Sequence, residues 1–156
     1  VVLDFDGRED GDAIGATDVE SALAAAGHEI KPLDIVLVRT GCDRWIDTAE
    51  YMAHGPGVTA GATHWLYERG VRVMGIDAWG WDRPLWMQAQ EAIESGEKGI
   101  FWEAHQADLA YSQIERLVNL GSLPPTGFTV SCLPLPLVGG SAAPARVVAM
   151  LDDERD

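Results

Sequence analysis

Two side chains in the stretch FWEAHQADLAYSQIERLVNL have the chemistry to hold a metal ion: His105 and Glu115, ten residues apart. A neutral imidazole is the commonest metal-binding nitrogen and the usual proton shuttle near pH 7. A carboxylate is costly to bury unpaired. Glu115, in the short apolar segment QIERL, is therefore exposed, paired with a base such as Arg116, or bound to a cation. One nitrogen and one oxygen suit a divalent ion, zinc or manganese. Ten residues is not the i, i+4 spacing of a helical metal pair, so the chain between them must turn back if both reach one ion. Two ligands also fall short of the three that a catalytic site normally draws from protein. The plain alternatives are a packed, hydrogen-bonded His105 among aromatics and a Glu115 neutralised by Arg116.

Other candidates are weaker. His28 follows a helix stop and reads as exposed, and His64 lies in a helix beside Trp65 and reads as packing. His54, in EYMAHGPGVTA, precedes a helix from a loop that can face a cleft. Trp79 and Trp81 bracket Gly80 after a strand. Large aromatics with a polar edge line ligand pockets, so both are candidate substrate-binding residues, against the alternative of a loop folded over the core. Asp77 and Asp82 flank them, and Asp77 is placed where α/β sheets gather ligands, at a strand's carboxyl end. No residue is assigned a catalytic role. GxGxxG, P-loop, GxSxG and CxxC patterns do not occur, so nucleotide-binding and serine-hydrolase readings lack their motifs.

The elements that must position these residues follow from pattern. Val1–Phe5 is a strand and Asp6–Asp12 a polar turn. Thr17 and Glu20 form a capping box for a helix running to Ala26, which Gly27 ends. After Pro32, DIVLVRT is a continuous apolar run of the kind buried on both faces of a sheet. Thr59 caps a second helix that Gly70 closes, and VRVMGID is a third strand. AWGWDRP is a loop leading to a helix over Leu85–Ser95. Ile100–Trp102 and Gln113–Leu117 are short strand candidates. Phe128–Leu137 is a long strand made irregular by Pro134 and Pro136. Val138–Ser141 is a turn, and Ala145–Leu151 the last strand. Helices alternate with strands early and strands cluster late, so the class is α/β with a mixed sheet.

Composition narrows the partners. The chain has 156 residues, 47% hydrophobic, enough for one domain with a real core. A formal charge of −14 argues against nucleic acid and against an anionic membrane surface. No apolar run is long enough for a transmembrane helix, and no signal peptide is read. Cys42 and Cys132 lie far apart in or beside strands, which fits reduced thiols and a cytoplasmic protein. The chain opens on the apolar strand VVLDF without an initiating Met, so a fragment, a nicked protein or processing is expected.

DIVLVRTGCDRW, GPGVTAGATHWLYERGVRVMGID and EAHQADLAYSQIERLVNLGSLPPTGFTVSCLPLPLVGGSAAPARVVAML, in that order, resemble the C-terminal portion of the cyclase family. This is the group of metal-dependent hydrolases that includes bacterial kynurenine formamidase and isatin hydrolase. The resemblance implies a swivelling β/β/α fold, incomplete without an N-terminal portion. Residues 1–151 would be the C-terminal portion of a single domain, and 152–156 a solvated acidic tail. It implies zinc or manganese, and hydrolysis of an amide, formamide or cyclic, in a small aromatic substrate. His105 and Glu115 match the family's later histidine and glutamate ligands. The family's HxGTHxDxPxH motif does not occur here, so an N-terminal segment or companion chain would supply the other ligands. A homo-oligomer is also implied. The rival readings are a metal-dependent cyclase of secondary metabolism and a non-catalytic subunit with the same fold.

Overall fold

The computed structural model describes residues 1–151; the acidic tail expected over 152–156 lies outside the described residues. In chain order the elements are β1 (Val2–Asp4), β2 (Ala13–Ile14), α1 (Ala16–Ala26), β3 (Ile35–Arg39), β4 (Gly57–Val58), α2 (Ala60–Glu68), β5 (Val73–Ile76), α3 (Leu85–Ser95), β6 (Ser112–Ile114), β7 (Phe128–Pro134) and β8 (Ala145–Leu151). Short 3-10 turns cover Cys42–Trp45, Ala49–Ala53 and Leu120–Ser122.

The central sheet has the order β1-β3-β5-β6 and is parallel throughout. Parallel neighbours need crossovers, and α1, α2 and α3 supply them. Strand alternation then sorts the apolar residues into two layers. Leu3, Val36, Val38, Met74 and Ile76 pack with Val19 and Leu23 of α1 and Ala62 and Leu66 of α2. Val2, Leu37, Leu117 and Leu120 form the second cluster, covered by Phe128, Val130 and Val147 of the antiparallel β7–β8 ribbon. β3 is buried on both faces, as its continuous apolar run requires. Gly75 in β5 is a close approach: a Cβ there would meet Leu117 Cδ1 at 2.7 Å and Leu37 Cδ2 at 2.8 Å. The layers make an α/β fold in which parallel and antiparallel pairing occupy separate sheets.

Three local expectations are corrected. α1 is capped one register earlier than Thr17–Glu20. Gly15 is its N-cap, and the Asp18 carboxylate accepts from the Gly15 N–H at 2.9 Å while pairing with Arg8. Two favourable contacts for one carboxylate at a helix N-terminus outcompete a hydroxyl. Ile100–Trp102 is not a strand. Trp102 has φ +56, and its N–H donates to Gln88 Oε1 at 2.7 Å, a side-chain partner in place of a ladder. β6 stops at Ile114, so Glu115 stands just past a strand end rather than within a strand. Pro134 ends β7, as the irregularity of its second half implied.

Candidate metal centre

The carboxyl ends of the parallel strands build the site. The loop after β5 returns over β4, where Val58 N–H donates to Trp81 O at 2.8 Å. That approach needs Gly57: a Cβ on it would stand 2.0 Å from the Arg83 nitrogen. The loop is thereby held flat, with Trp81 turned inward and Asp82 beneath the segment that carries His105.

Asp82, with a side chain only 2% exposed, organises that segment. Its Oδ1 accepts from Ala104 N–H at 2.9 Å and its Oδ2 from His105 N–H at 3.2 Å. His105 also donates its Nδ1 proton to Asp82 Oδ2 at 2.5 Å. A carboxylate only accepts, so in the neutral ring the proton sits on Nδ1 and the Nε2 lone pair is free. The Asp82 hydrogen bond raises the imidazole above its ordinary pKa, against burial, with the charges of Asp82 and Glu115 adding to it. Trp102 stacks on the ring at 5.3 Å between centroids. Gln88 anchors the same segment from α3: it is buried, accepts from Trp102 and donates to Arg83 O at 2.7 Å.

Glu115 arrives from the end of β6, and its Oε1 accepts from Trp81 N–H at 3.0 Å. His105 Nε2 and Glu115 Oε1 are 3.5 Å apart. That is long for a strong hydrogen bond. Two donors bound at about 2.0–2.2 Å to one tetrahedral zinc lie roughly 3.4 Å apart, so the pair fits two adjacent ligands of such an ion. Among the described residues, no group of three His, Cys, Asp or Glu is placed to hold a metal ion.

His105, Glu115 and Asp82 share a cleft of about 230 Å³ with Trp79, Trp102, Met52, Leu85 and His54. Trp79 is half-buried in its wall, with the Arg116 guanidinium 4.6 Å from its ring centroid. Arg116 therefore does not neutralise Glu115. Trp81 is corrected: it is fully buried in the core, its Nε1–H bound to Thr63 Oγ1 at 3.0 Å, and it does not line the cleft. An indole with a buried hydroxyl partner is satisfied away from solvent, and alternation along the loop turns it opposite to Trp79. Asp77 is corrected likewise. Its carboxylate is consumed by Thr40 N–H, Thr40 Oγ1 and Gly41 N–H at 2.6–2.9 Å, closing the end of β3 onto β5. His54 faces the cleft, His64 is exposed on α2 instead of packed, and His28 is tied to Asp34. Cys42 is buried and Cys132 half-buried, and both are free thiols. Among the described residues no helix is long and apolar enough to cross a membrane.

Sequence reasoning missed Asp82 as the partner of His105, along with Gln88, Trp102, Met52 and Leu85. The only signal was the placement of Asp82 two residues before Pro84, at the end of the post-strand loop.

Solved structures share this architecture. An isatin hydrolase bound to the product analogue thioisatinate superposes with a TM-score of 0.79 at 23% identity, over 96% of this chain and 58% of that one. Isatin hydrolase A from Labrenzia aggregata, bound to benzyl benzoate, gives 0.73 at 24% identity, over 96% and 60%. A potential metal-dependent hydrolase with cyclase activity gives 0.64 at 26% identity, over 99% and 64%. The chain thus spans about three fifths of the length of the structures it matches. No curated protein matches it in sequence. The family model described as "Putative cyclase" matches residues 1–83, the half that carries β1 to β5 and the loop reaching Asp82. On that match, and with the layered fold of these structures, the chain belongs to the cyclase family.

Proposed function

We propose that the chain carries part of the active site of a metal-dependent hydrolase. The reaction is cleavage of an amide bond, formamide or cyclic amide, in a small aromatic substrate. The observation that carries this reading is the Asp82–His105 pair with Nε2 set 3.5 Å from Glu115 Oε1. His105 and Glu115 would hold zinc or manganese, and an N-terminal segment or companion chain would supply the remaining ligands. The activities of the structural relatives, isatin hydrolase and metal-dependent hydrolase, support the same class.

When bound, the ion supplies polarisation of the carbonyl and acidification of water. The chain's own residues prepare that chemistry. Asp82 fixes the His105 tautomer and ring plane, the role of a carboxylate behind a metal-binding imidazole. Trp81 N–H holds the Glu115 carboxylate in place. Trp79 and Trp102 give the cleft flat apolar walls suited to an aromatic ring, and Leu85 and Met52 help to exclude water. The working protein is proposed as a cytoplasmic homo-oligomer.

The test is intact mass with metal analysis on one sample, followed by an assay with isatin. About one zinc or manganese per site, lost in H105A and E115Q, is expected. A parent chain that takes up no divalent ion, alone or with the N-terminal portion, would sink the proposal in favour of a non-catalytic subunit.

A further inference from the structure

His54 lines the same cleft as His105 and Glu115, and the metal pair does not use it. It follows the 3-10 turn Ala49–Ala53 in extended backbone. Its ring is held from two sides. Nδ1 lies 2.8 Å from Asp10 Oδ2, and Asp10 Oδ1 accepts from Gly55 N–H at 2.7 Å. The Trp45 indole stacks on the imidazole, 4.6 Å between centroids and 20° between planes. Burial works to raise the Asp10 carboxyl, but the bonds from Gly55 and His54 outweigh it and hold it below its ordinary value. An ionised carboxylate only accepts, so the proton of this bond is on Nδ1. Nε2 is left as the open atom, with no hydrogen-bond partner among the described residues.

His105 and His54 are built alike as far as Nδ1 and differ beyond it. His105 Nε2 looks toward Glu115, whereas His54 has no carboxylate beyond Asp10 among its ion pairs with the described residues. With no carboxylate beside its Nε2 among the described residues, His54 offers its oriented imidazole as a hydrogen-bonding contact. At about 230 Å³ the cleft is smaller than the roughly 300–1,000 Å³ of most ligand sites. A molecule that fills it and reaches the His105–Glu115 pair therefore also meets the His54 wall. Between these polar points the lining is mainly apolar, with Met52, Leu85, Trp79 and Trp102, and Arg83 is the one cation in the wall among the described residues.

We propose that His54 binds the ligand of this cleft through Nε2. The ligand class is then a small molecule with a flat apolar body and two polar ends: an oxygen-bearing end for the His105–Glu115 pair, and a hydrogen-bond donor for His54. Only the first end rests on the metal reading above.

The test uses the full chain loaded with zinc and titrated calorimetrically with 4-aminobenzoate, which carries a carboxylate and an amine at opposite ends of one ring. Benzoate, without the amine, is the control. H54N keeps a group for Asp10 in the Nδ1 position and removes Nε2, while H54Q keeps an amide near Nε2. Zinc affinity is measured separately for every variant. The expected result is that H54N binds zinc and benzoate like the parent and 4-aminobenzoate about tenfold more weakly, the size of one lost hydrogen bond. H54Q should recover part of that loss. Equal 4-aminobenzoate affinity in parent and H54N, with zinc binding intact, overturns the proposal, and so does a zinc-loaded parent that binds neither probe. A parent that binds no zinc, alone or with the N-terminal portion, instead defeats the metal reading. The same titrations on the metal-free chain then decide the His54 contact, with a loss in H54N supporting it and equal affinity or no binding overturning it.

Discussion

Asp82 and Trp81 are adjacent residues with opposite fates, and each carries a prediction. Asp82 touches no ion itself. D82N keeps the shape but offers His105 Nδ1–H a weaker acceptor, so zinc affinity should fall about 10–100-fold while the fold is retained. Competition with a chelating dye reads this, and unchanged affinity would remove Asp82 from the site. Trp81 fills the core while Trp79 fronts the cleft. W81A should cost about 3–5 kcal/mol in urea unfolding, the range for deleting a buried large aromatic. W79A should cost clearly less, because Trp79 is only half-buried against the core. A reversal of these two results would put the wrong tryptophan in the wall. The sequence placed both tryptophans on one loop but not on opposite sides of it. That choice depends on Thr63 in α2 offering a hydroxyl, and on Gly57 letting the loop lie flat against β4. Asp82 was illegible as a partner for a related reason. Its contact with His105 spans 23 residues and exists only because α3 and Gln88 bring the intervening chain back.

At the scale of elements, local pattern was a good guide wherever burial alone decides. The apolar run of β3, the helix after Pro84 and the β8 strand all follow directly from residue order. It failed where a side chain substitutes for a backbone ladder, as Gln88 does at Trp102, and where an ion pair shifts a cap, as Arg8 does at Asp18. The α1 cap yields a pH prediction. The Gly15 N–H bond, and then Arg8, hold the Asp18 carboxyl below its ordinary value. Its stabilising contribution is therefore present above the unfolded-state value of about 4 and is lost as pH falls through the lower folded-state value. D18N should remove about 0.3–1 kcal/mol near pH 7 and little once both forms are neutral, so the two urea-unfolding curves should converge in acid. Parallel curves at every pH would show that charge is not what caps α1.

Across the whole molecule, the proposed metal pair joins two parts of the chain that the sheet alone holds loosely. His105 rides on an irregular turn, and Glu115 follows the edge strand β6. An ion bound to both favours the folded form by mass action, by about 2.7 kcal/mol at free zinc one hundred times its dissociation constant. Added zinc should raise the melting temperature, a chelator should reverse the rise, and H105A should abolish it. A melting temperature indifferent to zinc in the parent, alone and with the N-terminal portion, would mean that the pair does not close on an ion.

Gln88 and Asp82 also give the turn around His105 a behaviour at odds with its irregular backbone. The amides of Trp102, Ala104 and His105 each end on a side chain of a buried residue rather than on a carbonyl of a regular element. In deuterated solvent these three protons should exchange as slowly as helix protons although they belong to no helix. Q88A should release Trp102 alone, while D82A should release Ala104 and His105 together. Isotope uptake at three amides would then trace which side chain holds each point of the turn, without any ligand in the cleft.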